Sequence, residues 1–414
     1  MMAGGGYPRA DEFDELLYQR ILEMTLPNGQ IMEINWFRVH VWSEATKFIV
    51  PREKLIRGMQ ANMFSIQLEG LDDQGQSQRR HLIAKRIVPG ELPPKSNMVM
   101  WKQFVESVQR EIDFYKELLG LENADEIRAL FPRIYYSDGS KIQCEDDILG
   151  SSYFFILMDD VSESFYQSCQ IDETQAKSVL RNLAKFHAFF WNRLPSYEPR
   201  GSFWTLERRK PLQELEDAVI TWSALLKRLP SLAASVPNAD TLVTDVVTHA
   251  EKLDTFVGKT ALTRIHGDCK GFNLFLSQTN DGNVLFIDMQ WTGSGNPLQD
   301  VAYVLTTTLQ ADVLPNMDKL VDFYCHCLSE FLPKTIWDEI SEEFRIGYDL
   351  IWLDYARVIM TGLWKKLSEE YMERCLNTIG PSMINRSKDH ALFIVRRVHS
   401  LVREQNVLQV LMDK

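Results

Sequence analysis

Residues 274–288, LFLSQTNDGNVLFID, most constrain how the second half of the chain can fold. Two apolar runs flank an Asp-Gly dipeptide, which is a strong signal for a β-hairpin. The segment just before the hairpin, RIHGDCKGFN, is unusually polar for a connection between apolar runs. Antiparallel pairing returns the end of the second strand to the start of the first. We therefore expect Asp268, Asn273 and Asp288 to converge at one end of the hairpin.

The polar residues of this region are spaced like those of a phosphoryl-transfer site. In protein kinases the catalytic Asp precedes a metal-binding Asn by five positions, in the pattern H-R-D-x-x-x-x-N. Here His266 and Asp268 are followed by Asn273 at the same interval. A general base, Asp268, and two oxygen ligands, Asn273 and Asp288, suit Mg²⁺-dependent phosphoryl transfer. The alternative is a capped loop with a buried structural histidine, and the hairpin that ends in Asp288 favours the first interpretation.

The pattern of the chain changes from strand-like to helical near Asp160. The predicted strands are KLIRGM, MFSIQLEG, HLIAKRIV, RIYYSD and SSYFFILMDD, with a helix from about Met98 to Leu119 between the third and the fourth. Beyond them the chain is predicted to be almost wholly helical apart from the hairpin. We expect an α+β fold with an amino-terminal extension and short acidic helix (1–35), a β-rich lobe (36–160) and a helical lobe (161–414).

Three segments carry a resemblance to a known family: IHGDCKGFNLFL, VLFIDMQWTGSGNPLQDVAYVL and, upstream of them, LRNLAKFHAFFW. They resemble the catalytic, metal-binding and preceding segments of the aminoglycoside phosphotransferase and choline/ecdysteroid kinase-like superfamily, over roughly residues 50–370. The resemblance implies a protein-kinase-like bilobal fold that phosphorylates small molecules with ATP and Mg²⁺. It also implies Asp268 as the catalytic base, Asn273 and Asp288 as metal ligands, and Asp300 as an anchor of the catalytic loop.

An ATP-binding lobe of this kind needs a lysine on its third strand and a glutamate on the following helix. HLIAKRIV supplies Lys85. In the predicted helix Glu111 falls within the apolar stripe, whereas Glu106 and Glu117 face away. The stripe consists of Trp101, Phe104, Val105, Val108, Ile112, Tyr115, Leu118 and Leu119. A buried carboxylate is costly unless it is paired, so we expect an ion pair between Lys85 and Glu111; the alternative is a surface lysine and a helix-edge glutamate.

The resemblance assigns two further residues of the first lobe to the ATP site. Gly58, in RGMQANMFSI, stands where this superfamily often has a glycine-containing turn over the phosphates, although no G-x-G-x-x-G follows. FFILMDDV resembles the strand and hinge beside which adenine rests, and this places Asp159 in the ATP site. Adenine would bond to the backbone there, so the alternative is that Asp159 or Asp160 is simply solvated.

The acceptor is expected to be a hydroxyl of a small molecule. Only 12 positions separate Asp288 from Asp300, which leaves no room for a long activation loop that could hold a protein substrate. About 75 mostly helical residues between Trp191 and His266 are of the kind that small-molecule kinases use to wall off an acceptor pocket. The alternative is a pseudokinase that binds nucleotide without turnover and acts as an interaction module. The presence of Lys85, Asp268, Asn273 and Asp288 favours the enzyme.

An amine alcohol is one candidate class of acceptor. The segment YDLIWLDYARVIMTGLW is apolar around nearly its full circumference and predicts a buried helix. On that helix Asp354 can pair with Arg357 at i+3, whereas no cation on the same helix serves Asp349. A cationic acceptor beside Trp352 would satisfy Asp349. The alternative is that Asp349 bonds to a backbone amide or a distant arginine.

The composition excludes several other classes of partner. The formal net charge of -12 argues against a nucleic-acid binder, which needs a basic surface to displace counterions. The start of the chain lacks the pattern of a signal peptide, and the longest apolar runs are too short to span a bilayer. We expect a cytoplasmic protein with no nucleic-acid or membrane partner, and the sequence sets no expectation for its oligomeric state.

Overall fold

The computed structural model of the protein describes residues 44–49, 55–57, 61–71, 77–92, 98–139, 154–195, 198–260, 262–377 and 387–411. The chain divides into two compact units, Met1–Glu163 and Ser164–Lys414. The predicted amino-terminal helix and Gly58 lie outside the described residues. Among the helices of the described ranges, none has both the length and the apolar character needed to cross a membrane.

The first unit is built on an antiparallel sheet with the strand order β1-β3-β4-β6-β5, in which β2 also pairs with β3. The strands are β1 (Glu44–Ile49), β2 (Leu55–Arg57), β3 (Asn62–Leu71), β4 (Ser77–Ile87), β5 (Ile134–Gly139) and β6 (Phe154–Asp159). The five predicted strands are confirmed, and β1 is a sixth that was not predicted. Lys85 lies on the central strand β4, opposite Met63 of β3 and Ile156 of β6.

Helix α1 (Met98–Gly120) packs on β5 and β6 and is followed by the short α2 (Asp125–Arg128). Its apolar residues recur at helical spacing, so one face is buried, and each large apolar side chain contributes about 1.5–3 kcal/mol of stability there. Seven of the eight residues of the predicted stripe are buried. Leu119 is the exception and the prediction was wrong for it, since its side chain is 42% exposed. Leu118 already occupies the buried face, and the next residue is turned about 100° away.

The second unit is mostly helical. Its helices are α3 (Glu173–Phe190), α4 (Leu206–Arg209), α5 (Ala218–Arg228), α6 (Pro230–Ala233), α7 (Leu242–Thr248), α8 (Ala250–Lys259), α9 (Leu298–Thr308), α10 (Met317–Phe331), α11 (Lys334–Val358), α12 (Glu369–Asn377) and α13 (Lys388–His399). Helix α3 begins at a capping box, in which Asp172 and Gln175 each accept the other's backbone N–H. The β-rich first unit and helical second unit confirm the predicted α+β class.

Short strands interrupt the second unit around the predicted hairpin. They are β7 (Phe165–Tyr166), β8 (Thr263–Ile265), β9 (Leu274–Ser277), β10 (Val284–Phe286) and β11 (Gly293–Gly295). Strands β9 and β10 form the hairpin that the sequence predicts, and Gly282 in its turn has a φ of +80°. The prediction of a single hairpin in an otherwise helical region was incomplete, because β7 pairs with β9 and β11 with β8.

Candidate active site

The loop between β8 and β9 and the residue after β10 meet at one end of the hairpin. Leu274 is opposite Phe286, and the N–H of Ile287 donates to the carbonyl oxygen of Asn273 at 3.1 Å. Asp288 follows directly, so the pairing brings it back beside Asn273. The Nδ2 amide of Asn273 donates to the backbone oxygen of Asp268 at 2.8 Å and to its Oδ2 at 3.1 Å. The strand pairing and the two bonds from Asn273 thus bring the three predicted residues to the same end of the hairpin.

The amide orientation of Asn273 leaves its oxygen available as a metal ligand. Both partners of Nδ2 are acceptors, so the NH₂ group must point at Asp268 and Oδ1 must point away from those contacts. With the carboxylate of Asp288 this gives two hard oxygen donors, the type that Mg²⁺ prefers. The described residues contain no cluster of three or more His, Cys, Asp or Glu that could hold a metal ion. A two-ligand site fits Mg²⁺, which keeps several waters and binds substrate phosphates.

Asp288 adopts a backbone conformation that is unusual for a residue with a side chain. Its φ is 64° and its ψ 60°, in the left-handed region. Asp tolerates this region better than most residues, but the conformation still carries strain of about 1 kcal/mol or more. Such strain clusters at functional sites, where the surrounding structure holds the residue in place. The turn redirects the chain from β10 into the segment that leads to β11.

Gly267 allows the loop to pack directly on neighbouring backbone. Its φ is +79°, and a Cβ there would lie 2.0 Å from the carbonyl oxygen of Trp291 and 2.6 Å from the backbone nitrogen of Ser202. A larger residue would therefore displace the loop as well as strain it. The segment after Asp288 is equally constrained, because Gly293–Gly295 pairs with β8, the strand that leads into the loop.

Asp300 anchors the start of the loop by accepting two of its backbone N–H groups, as the resemblance implies. Its Oδ2 accepts the backbone N–H of His266 at 2.6 Å, and its Oδ1 accepts that of Gly267 at 2.8 Å. His187 of α3 lies 3.1 Å from the same Oδ2 through Nε2, and its Nδ1 is 2.8 Å from the hydroxyl of Tyr324. All the side chains of this network are buried.

His187 and Tyr324 were not identified from the sequence as part of the site. His187 lies among the apolar residues on the buried face of α3, and a polar residue at such a position needs a partner. The same reasoning from the sequence identified Glu111. Burial lowers the pKa of His187, although its bond to Asp300 opposes the shift. The neutral ring then donates a hydrogen bond from Nε2 to Asp300 and accepts one at Nδ1 from the hydroxyl of Tyr324.

The depressed pKa of His187 predicts a pH-dependent stability. The unfolded chain binds the proton more readily than the folded one, so the free energy of unfolding should fall as the pH drops below about 6.5. The slope contributed by one such group is at most about 1.4 kcal/mol per pH unit. Urea denaturation between pH 8 and pH 5 should show a shallower slope for His187→Gln than for the wild type. His326→Gln, which removes an exposed histidine, should leave the slope unchanged; equal slopes for wild type and His187→Gln would contradict the assignment.

His266 orients the loop through hydrogen bonds to the backbone. Its Nε2 lies 2.9 Å from the carbonyl oxygen of Ile287, and its Nδ1 lies 3.3 Å from the backbone nitrogen of Asp268. Since a carbonyl oxygen only accepts and an amide N–H only donates, Nε2 donates to Ile287 and Nδ1 accepts from Asp268. His266 therefore ties the start of the loop to the residue before Asp288.

Lys270 contacts the predicted base, and the sequence did not identify it. Its Nζ lies 2.5 Å from Oδ2 of Asp268. Burial disfavours the charged form of the ammonium, but the negative charges of Asp268 and Asp288 outweigh that penalty and raise the pKa of Lys270. A charged lysine thus contacts the carboxylate of Asp268 and also lies within the electrostatic influence of Asp288.

The first unit contains the predicted ion pair. The Nζ of Lys85 lies 2.8 Å and 3.1 Å from the two carboxylate oxygens of Glu111, and both residues are buried. Since removing one partner of a buried pair leaves an uncompensated charge, the two residues depend on each other. Asp159, at the end of β6, accepts a 2.7 Å bond from the hydroxyl of Tyr135. The assignment of Asp159 to an ATP site remains a prediction.

A double-mutant cycle tests the role of the Lys85–Glu111 pair. Lys85→Met is expected to lower kcat and weaken ATP binding, and Glu111→Gln should reproduce part of that loss. The double variant should be little worse than Lys85→Met, with a coupling energy of about 0.5–3 kcal/mol. Lys116→Met, which breaks a more exposed pair with Asp138, is the matched control and should change little. Full additivity of the two changes would show that the pair has no role in turnover.

Asp349 of α11, for which the same helix offers no cation, pairs with an arginine of another helix. Arg397 of α13 lies 2.9 Å from Oδ1 of Asp349 and stacks over the ring of Trp352 at 5.2 Å. The position that a cationic acceptor was expected to occupy is therefore taken by an arginine, which was the stated alternative. The other expected pair is confirmed, since Arg357 lies 2.8 Å from Asp354 and both are buried.

Comparisons with known proteins give one family match. A family model described as "Phosphotransferase enzyme family" matches residues 103–328, more than half of the chain. A search of curated protein sequences finds no match.

Several solved structures are similar at low identity. They include an aminoglycoside phosphotransferase APH(4)-Ia variant in complex with ADP and hygromycin B (13% identity, 89% of this chain and 97% of that chain, TM-score 0.40). A Plasmodium vivax ethanolamine kinase (9%, 98% and 97%, TM-score 0.41) and spectinomycin phosphotransferase APH(9)-Ia with ADP and spectinomycin (10%, 88% and 97%, TM-score 0.39) are also similar.

Proposed function

The chain belongs to the phosphotransferase enzyme family, and from that premise we propose that it transfers the γ-phosphoryl group of Mg·ATP to a hydroxyl of a small molecule. The observation that carries the proposal is the pair of bonds from Asn273 to Asp268 at the end of the hairpin to which the strand pairing also returns Asp288. This end of the hairpin combines one carboxylate suited to proton transfer with two oxygens suited to Mg²⁺. The ATP-binding lobe is assigned to residues 36–160, and the lobe that carries the base and the acceptor pocket to residues 161–414.

Each residue has a separate role in this proposal. Asp268 accepts the proton of the acceptor hydroxyl as the oxygen of that hydroxyl bonds to the γ-phosphorus and the bond to ADP breaks. Asn273 and Asp288 would hold Mg²⁺, which neutralises charge on the phosphates when bound. Lys85, held by Glu111, would position the phosphates. Gly58 and Asp159 are assigned to the ATP site on the resemblance alone.

The acceptor class is open between amine alcohols and neutral alcohols. The argument for an amine alcohol came from Asp349, and the pairing of that residue with Arg397 removes its basis. The test therefore includes both classes: amine alcohols, aminoglycosides among them, and neutral alcohols such as sugars and sterols.

An acceptor screen with ATP and Mg²⁺ tests the proposal. We expect at least one hydroxyl compound to be phosphorylated in a reaction that requires the metal and is lost in Asp268→Asn. Thermal stabilisation by Mg·ATP with no transfer and no hydrolysis, across the whole panel, would instead favour a nucleotide-binding pseudokinase. Much faster phosphorylation of sugars or sterols than of any amine alcohol would exclude the cationic class.

A further inference from the structure

We propose that Lys270 is a positioning residue for the base: together with Asn273 it holds Oδ2 of Asp268 and leaves Oδ1 to take the proton of the acceptor. The inference rests on the proposed function, because it names the atom of Asp268 that acts. It concerns a side chain that the H-x-D-x-x-x-x-N spacing leaves unspecified, since Lys270 occupies one of the variable positions.

Two donors converge on a single oxygen of Asp268. Lys270 Nζ lies 2.5 Å from Oδ2, and Asn273 Nδ2 lies 3.1 Å from the same atom. A carboxylate oxygen accepts along two lone-pair directions, so side chains of this loop occupy both directions at Oδ2. Within the part of the chain that the structure describes, Oδ1 has no hydrogen-bond donor. Of the two oxygens, Oδ1 is the one with lone pairs left for an incoming hydroxyl.

The backbone of the loop fixes where the lysine side chain starts. The N–H of Lys270 donates to the carbonyl oxygen of Asp268 at 3.0 Å, and its own carbonyl oxygen accepts the N–H of Asn273 at 2.8 Å. The next residue, Gly271, packs so closely that a Cβ would lie 2.3 Å from the carbonyl oxygen of Ser168. The loop therefore cannot swing outward without losing these contacts, and the ammonium is directed back at Asp268.

A fixed carboxylate matters for the chemistry. The acceptor hydroxyl must lie within hydrogen-bond reach of the base while its oxygen is aligned with the γ-phosphorus. In the transfer, the O–H proton passes to Oδ1, the acceptor oxygen bonds to phosphorus, and the bond from phosphorus to the ADP oxygen breaks. A carboxylate free to rotate would spend only part of its time with an unoccupied oxygen in the correct place. Lys270 removes that freedom.

The competing explanation is that the ammonium of Lys270 acts directly on the transferred phosphoryl group. A double-mutant cycle of Lys270→Met with Asp268→Asn distinguishes this direct effect from the positioning of Asp268. Lys270→Met should lower kcat about tenfold or more with the KM for ATP within about twofold, while Lys270→Arg, which keeps a charged donor, should retain most activity. In an Asp268→Asn background, Lys270→Met should change kcat by less than about twofold, because the residue acts through Asp268. Lys259→Met, an exposed lysine at the end of α8, is the matched control.

The assay uses the fastest acceptor of the screen, or Mg·ATP hydrolysis if no acceptor is phosphorylated. Near-normal kcat in Lys270→Met would overturn the proposal. So would a fall in kcat on adding Lys270→Met to Asp268→Asn that is as large as the fall in the wild-type background. An inactive wild-type protein would count against the proposed function instead, and the positioning role is then decided by crystal structures of wild type and Lys270→Met. A rotated Asp268 carboxylate in the variant supports the role, and an unmoved carboxylate overturns it.

Discussion

Asp268→Asn is expected to lower kcat by about 10²-fold or more, because the amide cannot accept the proton of the acceptor hydroxyl. The substitution keeps the size of the side chain and an oxygen that can still accept from Lys270 and Asn273. ATP binding should therefore change little, and the loss should appear in kcat rather than in the KM for ATP. Steady-state kinetics with the best acceptor of the screen measures both constants.

The control for this experiment is the same chemical change at an exposed position. Asp240→Asn alters a solvent-exposed aspartate in the second unit and should leave both constants unchanged. Near-normal turnover in Asp268→Asn would show that another group takes the proton. A parallel loss of ATP affinity would indicate that Asp268 binds the nucleotide or its metal rather than the acceptor.

Asp288→Ala is expected to abolish metal-dependent binding of ATP, since it removes the carboxylate that would carry most of the negative charge facing Mg²⁺. The effect should be much larger in the presence of Mg²⁺ than in EDTA, where the wild type also binds nucleotide weakly. Calorimetric titration with ATP under both conditions measures it directly. Alanine tolerates the left-handed backbone at this position less well than aspartate, so the variant should be somewhat less stable than the wild type, and its thermal unfolding is measured beside the titration to show that it is folded.

Asp281→Ala is the matched control for Asp288→Ala. It removes the same charge from the same hairpin, but Asp281 is exposed and its carboxylate bonds within the turn, to Asn283 and Thr279. Its affinity for Mg·ATP should equal that of the wild type. An unchanged Mg·ATP affinity in Asp288→Ala would mean that the metal, if it binds, is held elsewhere.

The parts of the site that could be predicted from the sequence are those that depend on patterns among residues close together in the chain. The interval from Asp268 to Asn273 and the Asp-Gly turn of the hairpin are local patterns, and the hairpin pairing alone returns Asp288 to the loop. The burial of Glu111 followed from the helical period of its own segment, and its burial made a cation on the preceding strand the expected partner.

The tertiary structure decided the contacts between segments that are distant in the sequence. His187 reaches Asp300 across 113 positions and Tyr324 across 137, and Arg397 reaches Asp349 across 48. Sequence periodicity shows which face of a helix is buried but not which polar group of another element will meet it, because that depends on how the helices pack. The close packing of the loop on Ser168, Trp291 and Ser202 and the left-handed backbone of Asp288 are likewise features that the spacing of the motif does not encode. The sequence by itself determined the candidate base, the candidate metal ligands and the Lys85–Glu111 pair. The tertiary packing determined which further side chains, Lys270, His187 and Tyr324, surround the loop, because those contacts are not encoded by local patterns.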